Sequence, residues 1–327
     1  MNLGKPKIFV SRMIPQPALD LLDRHAAVEV NAGDKPLSKA ELISHLQGTE
    51  GLVCLLTDVI DDEVLASAPS LRVVSNVAVG FDNIDVQSAT RRRIAVTNTP
   101  GVLDETTADF TWALLMAAAR RVAEADRYAR AGRYQGWGIM LLLGHDVYGK
   151  TLGICGMGRI GKAVARRALG FGMKMLYTDL QRIEGGLEKE LKVEFSDKEG
   201  LLRESDFVTL HLPLLPETVH YISRRELSLM KKTSHLINAS RGPIVDEEAL
   251  VEALRTEQIA GAALDVFEHE PKIHPGLLHL DNVVLAPHIA SASIETRTLM
   301  ATMAAENMIS ALEGRIPPHI VNREVYG

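Results

Sequence analysis

Residues 151–179 read TLGICGMGRIGKAVARRALGFGMKMLYTD, and this stretch decides the fold. Thr151–Ile154 is a short apolar run that reads as a strand, and the glycine run Gly156–Gly161 follows it. Lys162–Leu169 then carries a helical pattern, and Lys174–Thr178 reads as a second strand. A GxGxxG run alone is a weak signal; between a strand and a helix it becomes a dinucleotide fingerprint. Gly156 permits the tight turn, Gly158 lets backbone approach a pyrophosphate, and Gly161 lets the helix pack close to the strand. The helix N-terminus offers free N–H groups and a partial positive charge to phosphates. Asp179 stands about 18 residues beyond Gly161, where such a fold places an acid for ribose hydroxyls.

On both sides of this stretch, strand-like and helical runs alternate. Before it, strands are expected at Lys7–Val10, Val28–Val30, Leu52–Leu56, Val73–Val77 and Ile94–Thr97. Helical patterns lie between them, at Pro17–Arg24, Lys39–Leu46, Asp62–Ala68 and Val86–Arg92. Strands this apolar throughout are those of a parallel sheet covered on both faces. One long helix is expected over Glu105–Ala131, then an irregular segment, Arg133–Val147. After the fingerprint, further strands are expected at Phe207–Leu212, His235–Ala239, Gly261–Val266 and Val283–Ala286. A last helix over Ser293–Leu312 stops at Gly314, with Pro317 and Pro318 beyond.

At 327 residues the chain is long enough for two domains. Its net charge of −6 argues against a nucleic-acid surface. No apolar stretch is long enough to cross a bilayer. The two cysteines, Cys54 and Cys155, lie in apolar strand-like runs and read as buried, reduced thiols. With no signal-peptide pattern at the start, the expected address is the cytoplasm. His269, His274, His279 and His288 match no common metal-ligand spacing. Asp82 and Asp85 read as caps for the helix near Val86, and Glu247 and Glu248 as first-turn acids.

A bound nicotinamide leaves the protein two jobs, to hold a carbonyl near the hydride and to supply a proton to its oxygen. Arg241, in NASRGP after a strand, is the best cation, because a guanidinium grips a carboxylate through two parallel hydrogen bonds. His288 follows the strand Val283–Ala286 and titrates near neutrality, which suits an acid. Glu270 follows the strand Gly261–Val266, in DVFEHEP; beside His288 it favours the imidazolium and orients the ring. Taken singly, Arg241 also reads as a surface arginine and Glu270 as a turn cap. Three strand ends delivering Arg, Glu and His to one edge make the stronger reading.

On these motifs the chain resembles the D-isomer-specific 2-hydroxyacid dehydrogenases, most closely the glyoxylate/hydroxypyruvate reductases. NVAVGFDNID (76–85), TTADF (106–110), residues 149–173, SRGPIVDEEAL (240–250), AALDVFEHEP (262–271) and APHIAS (286–291) fall in family order over nearly the full length. The resemblance implies two Rossmann-like or flavodoxin-like parallel-sheet α/β domains with the active site in the cleft between them. It makes 1–103 plus 288–327 the substrate domain and 104–287 the NAD(P)-binding domain. It places the substrate carboxylate on Arg241 and on the amides of Val79 and Gly80, with His288 as acid and Glu270 as its partner. Leu55 then walls the substrate pocket. The implied cofactor residues are Thr107, Gly156, Met157, Gly158, Arg159, Ile160, Gly161, Asp179, Leu212, Pro213, Thr218, Ala239, Ser240, Arg241, Asp265, His288 and Ala290. A homodimer is implied too, with Arg133–Val147 near the partner. Trp137 either reaches the other subunit's active site or is an ordinary amphipathic tryptophan.

Two departures bear on specificity. Close relatives often carry Ser-Arg after the second cofactor strand, suited to NADP; here Thr178-Asp179 stands there, which predicts a preference for NAD. Arg182 nearby keeps NADP use open. Ala290 replaces a usual glycine and narrows the nicotinamide site slightly. The expected reaction is reduction of a small 2-oxo acid, glyoxylate or hydroxypyruvate. Alternatives are a D-3-phosphoglycerate or D-lactate type dehydrogenase and, from another class, an NAD-sensing corepressor-like protein.

Overall fold

The computed structural model describes residues 4–33 and 35–327. The chain forms two compact units, Met1–Leu103 with Ala292–Gly327, and Asp104–Ser291. In the first, strands β1 (Lys7–Val10), β2 (Ala27–Val30), β3 (Gly51–Cys54), β4 (Val73–Asn76) and β5 (Ala95–Thr97) pair in parallel in the order β2-β1-β3-β4-β5. This is the flavodoxin-like order. Every residue of β3, β4 and β5 is buried, as strands covered on both faces must be. Helix α1 (Gln16–His25) and the final helix of the chain, Ile294–Leu312, cover one face. Helices α2 (Lys39–His45), α3 (Asp62–Ala66) and α4 (Val86–Arg91) cover the other. Asp85 caps α4 by accepting from Ser88 N–H. The C-terminal segment protects the edge at β5: Asn322 accepts from Val96 N–H and donates to Ile94 C=O.

The second unit opens with α5 (Asp104–Ala119) and α6 (Val122–Arg130). Then come β6 (Thr151–Cys155), α7 (Arg159–Ala168), β7 (Lys174–Thr178), α8 (Gly185–Leu191), β8 (Val193–Phe195) and α9 (Lys198–Glu204). The rest is β9 (Phe207–Leu210), α10 (Arg224–Leu229), β10 (His235–Asn238), α11 (Glu247–Arg255), β11 (Gly261–Leu264) and β12 (Val283–Leu285); the chain then returns to the first unit as α12, Ile294–Leu312. The seven strands pair in parallel in the order β12-β11-β10-β9-β6-β7-β8. The chain runs outward from β6 in one direction through β8, then returns to β9 and runs outward the other way. β6 and β9 therefore flank the switch point at which such sheets bind ligands. Among the described residues, no helix is long and apolar enough to cross a membrane.

Several boundaries differ from the expected ones. The helix expected over Glu105–Ala131 is two helices, broken at Arg121, whose φ of 53° is left-handed. The cause lies at 143–145: His145 N–H donates to Ala119 C=O, and Arg121 donates to Leu143 C=O. Gly144 allows this approach, since a Cβ there would lie 2.3 Å from the Ala119 oxygen. Strand β8 has no counterpart among the expected strands, because only Val193 of its three residues is buried and no alternation shows. The second unit also extends through Ser291 rather than ending at 287. The buried Asp265 carboxylate accepts from Ile289 and Ala290 N–H, each at 2.7 Å, and so keeps His288 and its neighbours with β11.

The three fingerprint glycines have separate roles. Gly156 has a φ of 95°, and a Cβ there would lie 2.5 Å from the His211 oxygen. At Gly161 a Cβ would lie 2.1 Å from the Gly156 oxygen, so α7 packs on β6 only because that position has no side chain. Gly161→Ala forces the helix outward, an overpacking cost of about 1–3 kcal/mol. The expected outcome in thermal melts is a Tm lower by roughly 2–10 °C, with the rise given by added NADH largely lost.

Candidate active site

The second unit collects its chemistry at the carboxyl ends of its strands. After β6 the chain turns through Gly156 and enters α7 at Gly158, which caps the helix without any side-chain bond. A Cβ on Gly158 would meet nothing within 4 Å, so backbone there faces open space. The first-turn N–H groups of α7, from Arg159 to Gly161, lack helical acceptors by construction. Open space, unfilled donors and the positive helix end fit the pyrophosphate of a dinucleotide. Met157 is buried in the core, and Leu212 lies against Gly156. Arg159 pairs with Asp104 at 3.1 Å.

Asp179 stands just beyond β7 and braces the glycine turn. Its Oδ2 accepts from Met157 N–H and its Oδ1 from Leu180 N–H, both at 2.7 Å. Arg182 is gripped by Glu188 through two bonds of 2.8 and 2.9 Å. Beyond β9, Thr218 donates to Pro213 C=O and accepts from Leu215 N–H, which shapes the Leu212–Thr218 segment. Thr107 is buried on α5, where its carbonyl accepts from the Thr111 hydroxyl.

β10, β11 and β12 are neighbours in the sheet, and they present Arg241, Glu270 and His288 from one edge. After β10, the buried Asn238 organises the turn: its Oδ1 accepts from Ser240 N–H and hydroxyl, and its Nδ2 donates to Arg241 C=O. Ala239 and Ser240 thereby sit in a turn held by local bonds. Gly242 seats that turn against the next loop, since a Cβ there would lie 1.8 Å from the Phe267 oxygen. Glu270 Oε1 accepts from Phe267 N–H at 3.0 Å, and Oε2 lies 2.9 Å from His288 Nδ1. His288 itself has a φ of 55°, held by its N–H to Asp265 C=O and by the Asp265 carboxylate on the two residues that follow. The Ala290 amide is one of these, and its methyl is buried.

Burial pushes the Glu270 carboxyl up, yet the bond from His288, the Phe267 N–H and the Arg241 charge together hold it below its usual value. Burial raises Asp265 above the usual range, against the pull of the Ile289 and Ala290 N–H groups and of His288. Glu270 is thus kept ionised, with Oε2 on His288 Nδ1. His211 is half-buried beyond β9, and burial lowers its pKa to about 3. Both cysteines are buried free thiols, and burial drives Cys155 to about 12.

In the first unit, Val79 C=O accepts from Asn98 Nδ2 and Gly80 C=O from Asn76 Nδ2. These bonds fix the peptide planes of the turn after β4. Leu55 lies just beyond β3, its N–H donating to Asp58. In the second unit Trp137 is 81% exposed. A cavity of about 680 Å³ in this unit is not part of the site: His235, Ile259, Ala260 and Asn282, which line it, lie at or before the starts of strands, the opposite edge of the sheet. Asn238, Glu247 and Glu268 bond the loops that carry Arg241 and Glu270, contacts that sequence reasoning misses; Asn238 and Glu247 are buried and Glu268 partly so.

Residues 112–290 match the model of the NAD-binding domain of D-isomer-specific 2-hydroxyacid dehydrogenases. The chain belongs to this family. A glyoxylate reductase of Korarchaeum cryptofilum is 57% identical over 324 residues, 98% of this chain and 97% of that one. One from Aeropyrum pernix is 53% identical over 329 residues, 99% and 98% of the two chains. Among solved structures, a protein from Thermus thermophilus superposes with a TM-score of 0.91 at 47% identity, covering 96% of this chain and 99% of that one. An NADPH-dependent glyoxylate/hydroxypyruvate reductase of Sinorhizobium meliloti, solved with NADP and malonate, gives 0.88 at 32% identity, covering 98% of each chain. The chain is an enzyme of this type.

Proposed function

We propose that this enzyme reduces glyoxylate or hydroxypyruvate to the 2-hydroxy acid, with Arg241 on the substrate carboxylate and His288 as the proton donor. The observation that carries the reading is the 2.9 Å His288–Glu270 pair on the same sheet edge as Arg241 and the glycine turn. The glyoxylate reductases among its relatives support the choice of substrate. The absence of extra basic residues around Val79–Gly80 weighs against a phosphorylated acid. A binding-only NAD sensor of this fold can retain the same three side chains, so the relatives named as glyoxylate reductases, not the pair, favour the enzyme reading.

A bound reduced nicotinamide supplies the hydride. Arg241 holds the substrate carboxylate through its planar fork. The amides of Val79 and Gly80 are further donors to an anion, and Leu55 limits side-chain size. His288 donates its Nε2 proton to the carbonyl oxygen as negative charge develops there. Glu270 accepts from Nδ1, which fixes the ring and stabilises its protonated form. Glu270 remains charged to a pH below the ordinary carboxylate range, so reduction loses Glu270 support only in more acid solution than usual. The alkaline limb reflects loss of the imidazole proton. His288→Ala is expected to lower kcat by about 10³-fold while NADH still binds, as read by nucleotide fluorescence. Glu270→Gln is expected to move the alkaline limb of reduction to lower pH, since it removes the charge that favours the imidazolium. Assays with glyoxylate, hydroxypyruvate and pyruvate, each with NADH and NADPH, test the reading; consumption of neither nucleotide overturns it.

NAD is the proposed preferred cofactor. Asp179 sets a carboxylate where a 2′-phosphate would come, and Arg182 is already held by Glu188. Asp179→Asn keeps an oxygen for Met157 N–H while removing the charge. It is expected to raise kcat/KM for NADPH by about tenfold, one charge-pair repulsion of about 1.4 kcal/mol.

The proposed assembly is a homodimer in the cytoplasm. Tyr134, Trp137, Ile139, Met140 and Leu143 expose large apolar side chains along one segment, which a second copy covers. Light scattering is expected to give twice the chain mass of 35.8 kDa, falling to one chain in a Trp137→Glu, Ile139→Asp variant.

A further inference from the structure

Behind the proposed reacting groups, two acids tie their loops together. Asp246 is the capping side chain of α11, accepting from Ala249 N–H, so the Glu247 side chain does not serve as the cap. Glu247 is nevertheless buried, and its Oε1 accepts from Glu268 N–H at 2.9 Å. Glu268 returns the bond: its Oε2 accepts from Glu247 N–H at 3.2 Å. Its Oε1 lies 2.6 Å from His220 Nε2, and His220 N–H donates to Pro243 C=O at 2.8 Å. Two acids thus exchange side chain for backbone across the 241–247 and 267–270 segments, and a histidine adds a third strut.

We propose that Glu247 and Glu268 are positioning residues, a reciprocal clasp that fixes the Arg241 loop against the Glu270 loop and so sets the His288–Glu270 bond.

The geometry connects the clasp to the site in two short steps. Gly242, next to Arg241, packs directly on the Phe267 carbonyl and the Glu268 nitrogen, with no room for even a methyl group. Phe267 N–H in turn donates to the carboxylate oxygen of Glu270 that does not face His288. Glu268 is therefore one residue from the peptide that orients Glu270. Burial and the neighbouring Glu268 raise the Glu247 carboxyl above its usual value, while the Glu268 N–H, His274 and His269 pull it back. A buried acid kept at such a cost marks a position where geometry matters.

The inference rests on the roles proposed for Arg241, Glu270 and His288, and its test separates the two. The His288 imidazole is titrated by NMR in the cofactor-free full-length protein, in wild type, Glu268→Ala, Glu268→Gln and Glu270→Ala, all checked for folding by circular dichroism. Glu270→Ala, which removes the carboxylate 2.9 Å from Nδ1, is expected to move the titration to lower pH. Glu268→Ala should move it part of the way and lower kcat by about tenfold. Glu268→Gln keeps the acceptor for Glu247 N–H and should behave as wild type. Glu247→Ala and Glu247→Gln should repeat that contrast. A Glu268→Ala protein with the wild-type titration and kcat overturns the clasp. If Glu270→Ala leaves His288 unmoved, the pair has no electrostatic coupling for a clasp to set, and both readings fall. If the titrations behave as expected but no 2-oxo acid is reduced, the clasp stands and the proposed function fails.

Discussion

Because every strand pair in the second unit is parallel, its seven carboxyl ends fall on one edge, and everything chemical about the unit follows from that. Residues far apart in sequence need only follow a strand to become neighbours. Gly156 follows β6, Asp179 follows β7, and Arg241, Glu270 and His288 lie beyond β10, β11 and β12. The parallel arrangement also imposes the burial pattern. Helices lie on both faces, so the strands carry apolar residues throughout and place their polar groups beyond their ends.

At those ends the chain sets acids, Asp265 and Glu247 buried and Glu268 and Glu270 partly open to solvent, and gives each a backbone donor. Asp265 is buried and takes two N–H groups from Ile289 and Ala290, which holds His288 in a left-handed conformation. Glu270 takes one from Phe267 and a contact from His288. Glu247 and Glu268 take one from each other's residue. An unpaired carboxylate in such places is expensive, so each acid dictates where its donor loop must lie. Electrostatics and loop geometry are here one constraint.

What the sequence made legible was chemistry at strand ends; what it hid was contact between distant segments. The glycine turn was readable because its three positions need three different forms of missing side chain, and a strand and a helix stand on either side. Arg241, Glu270 and His288 were readable because each follows an apolar run. The Arg121 break was not readable, because its cause is backbone at 143–145 packing onto the end of α5. Nor was the capture of Arg182 by Glu188, which lies a helix turn or more away along α8 and turns an apparent phosphate ligand into an ion pair. Glu247 looked like an ordinary first-turn acid. Its side chain instead reaches a loop 21 residues on, which no local pattern encodes.

Asp179 shows why cofactor choice in such a site is not a matter of one charge. Its two oxygens accept from Met157 and Leu180, so the acid that would meet the ribose also holds the phosphate turn in shape. Replacing Thr178-Asp179 with Ser-Arg would remove the carboxylate and the brace together. The turn would then need a new acceptor for the Met157 amide, or a bound phosphate to order it. On the proposed preference for NAD, discrimination against the 2′-phosphate and rigidity of the pyrophosphate site are coupled through one carboxylate. Selection on either property therefore acts on both.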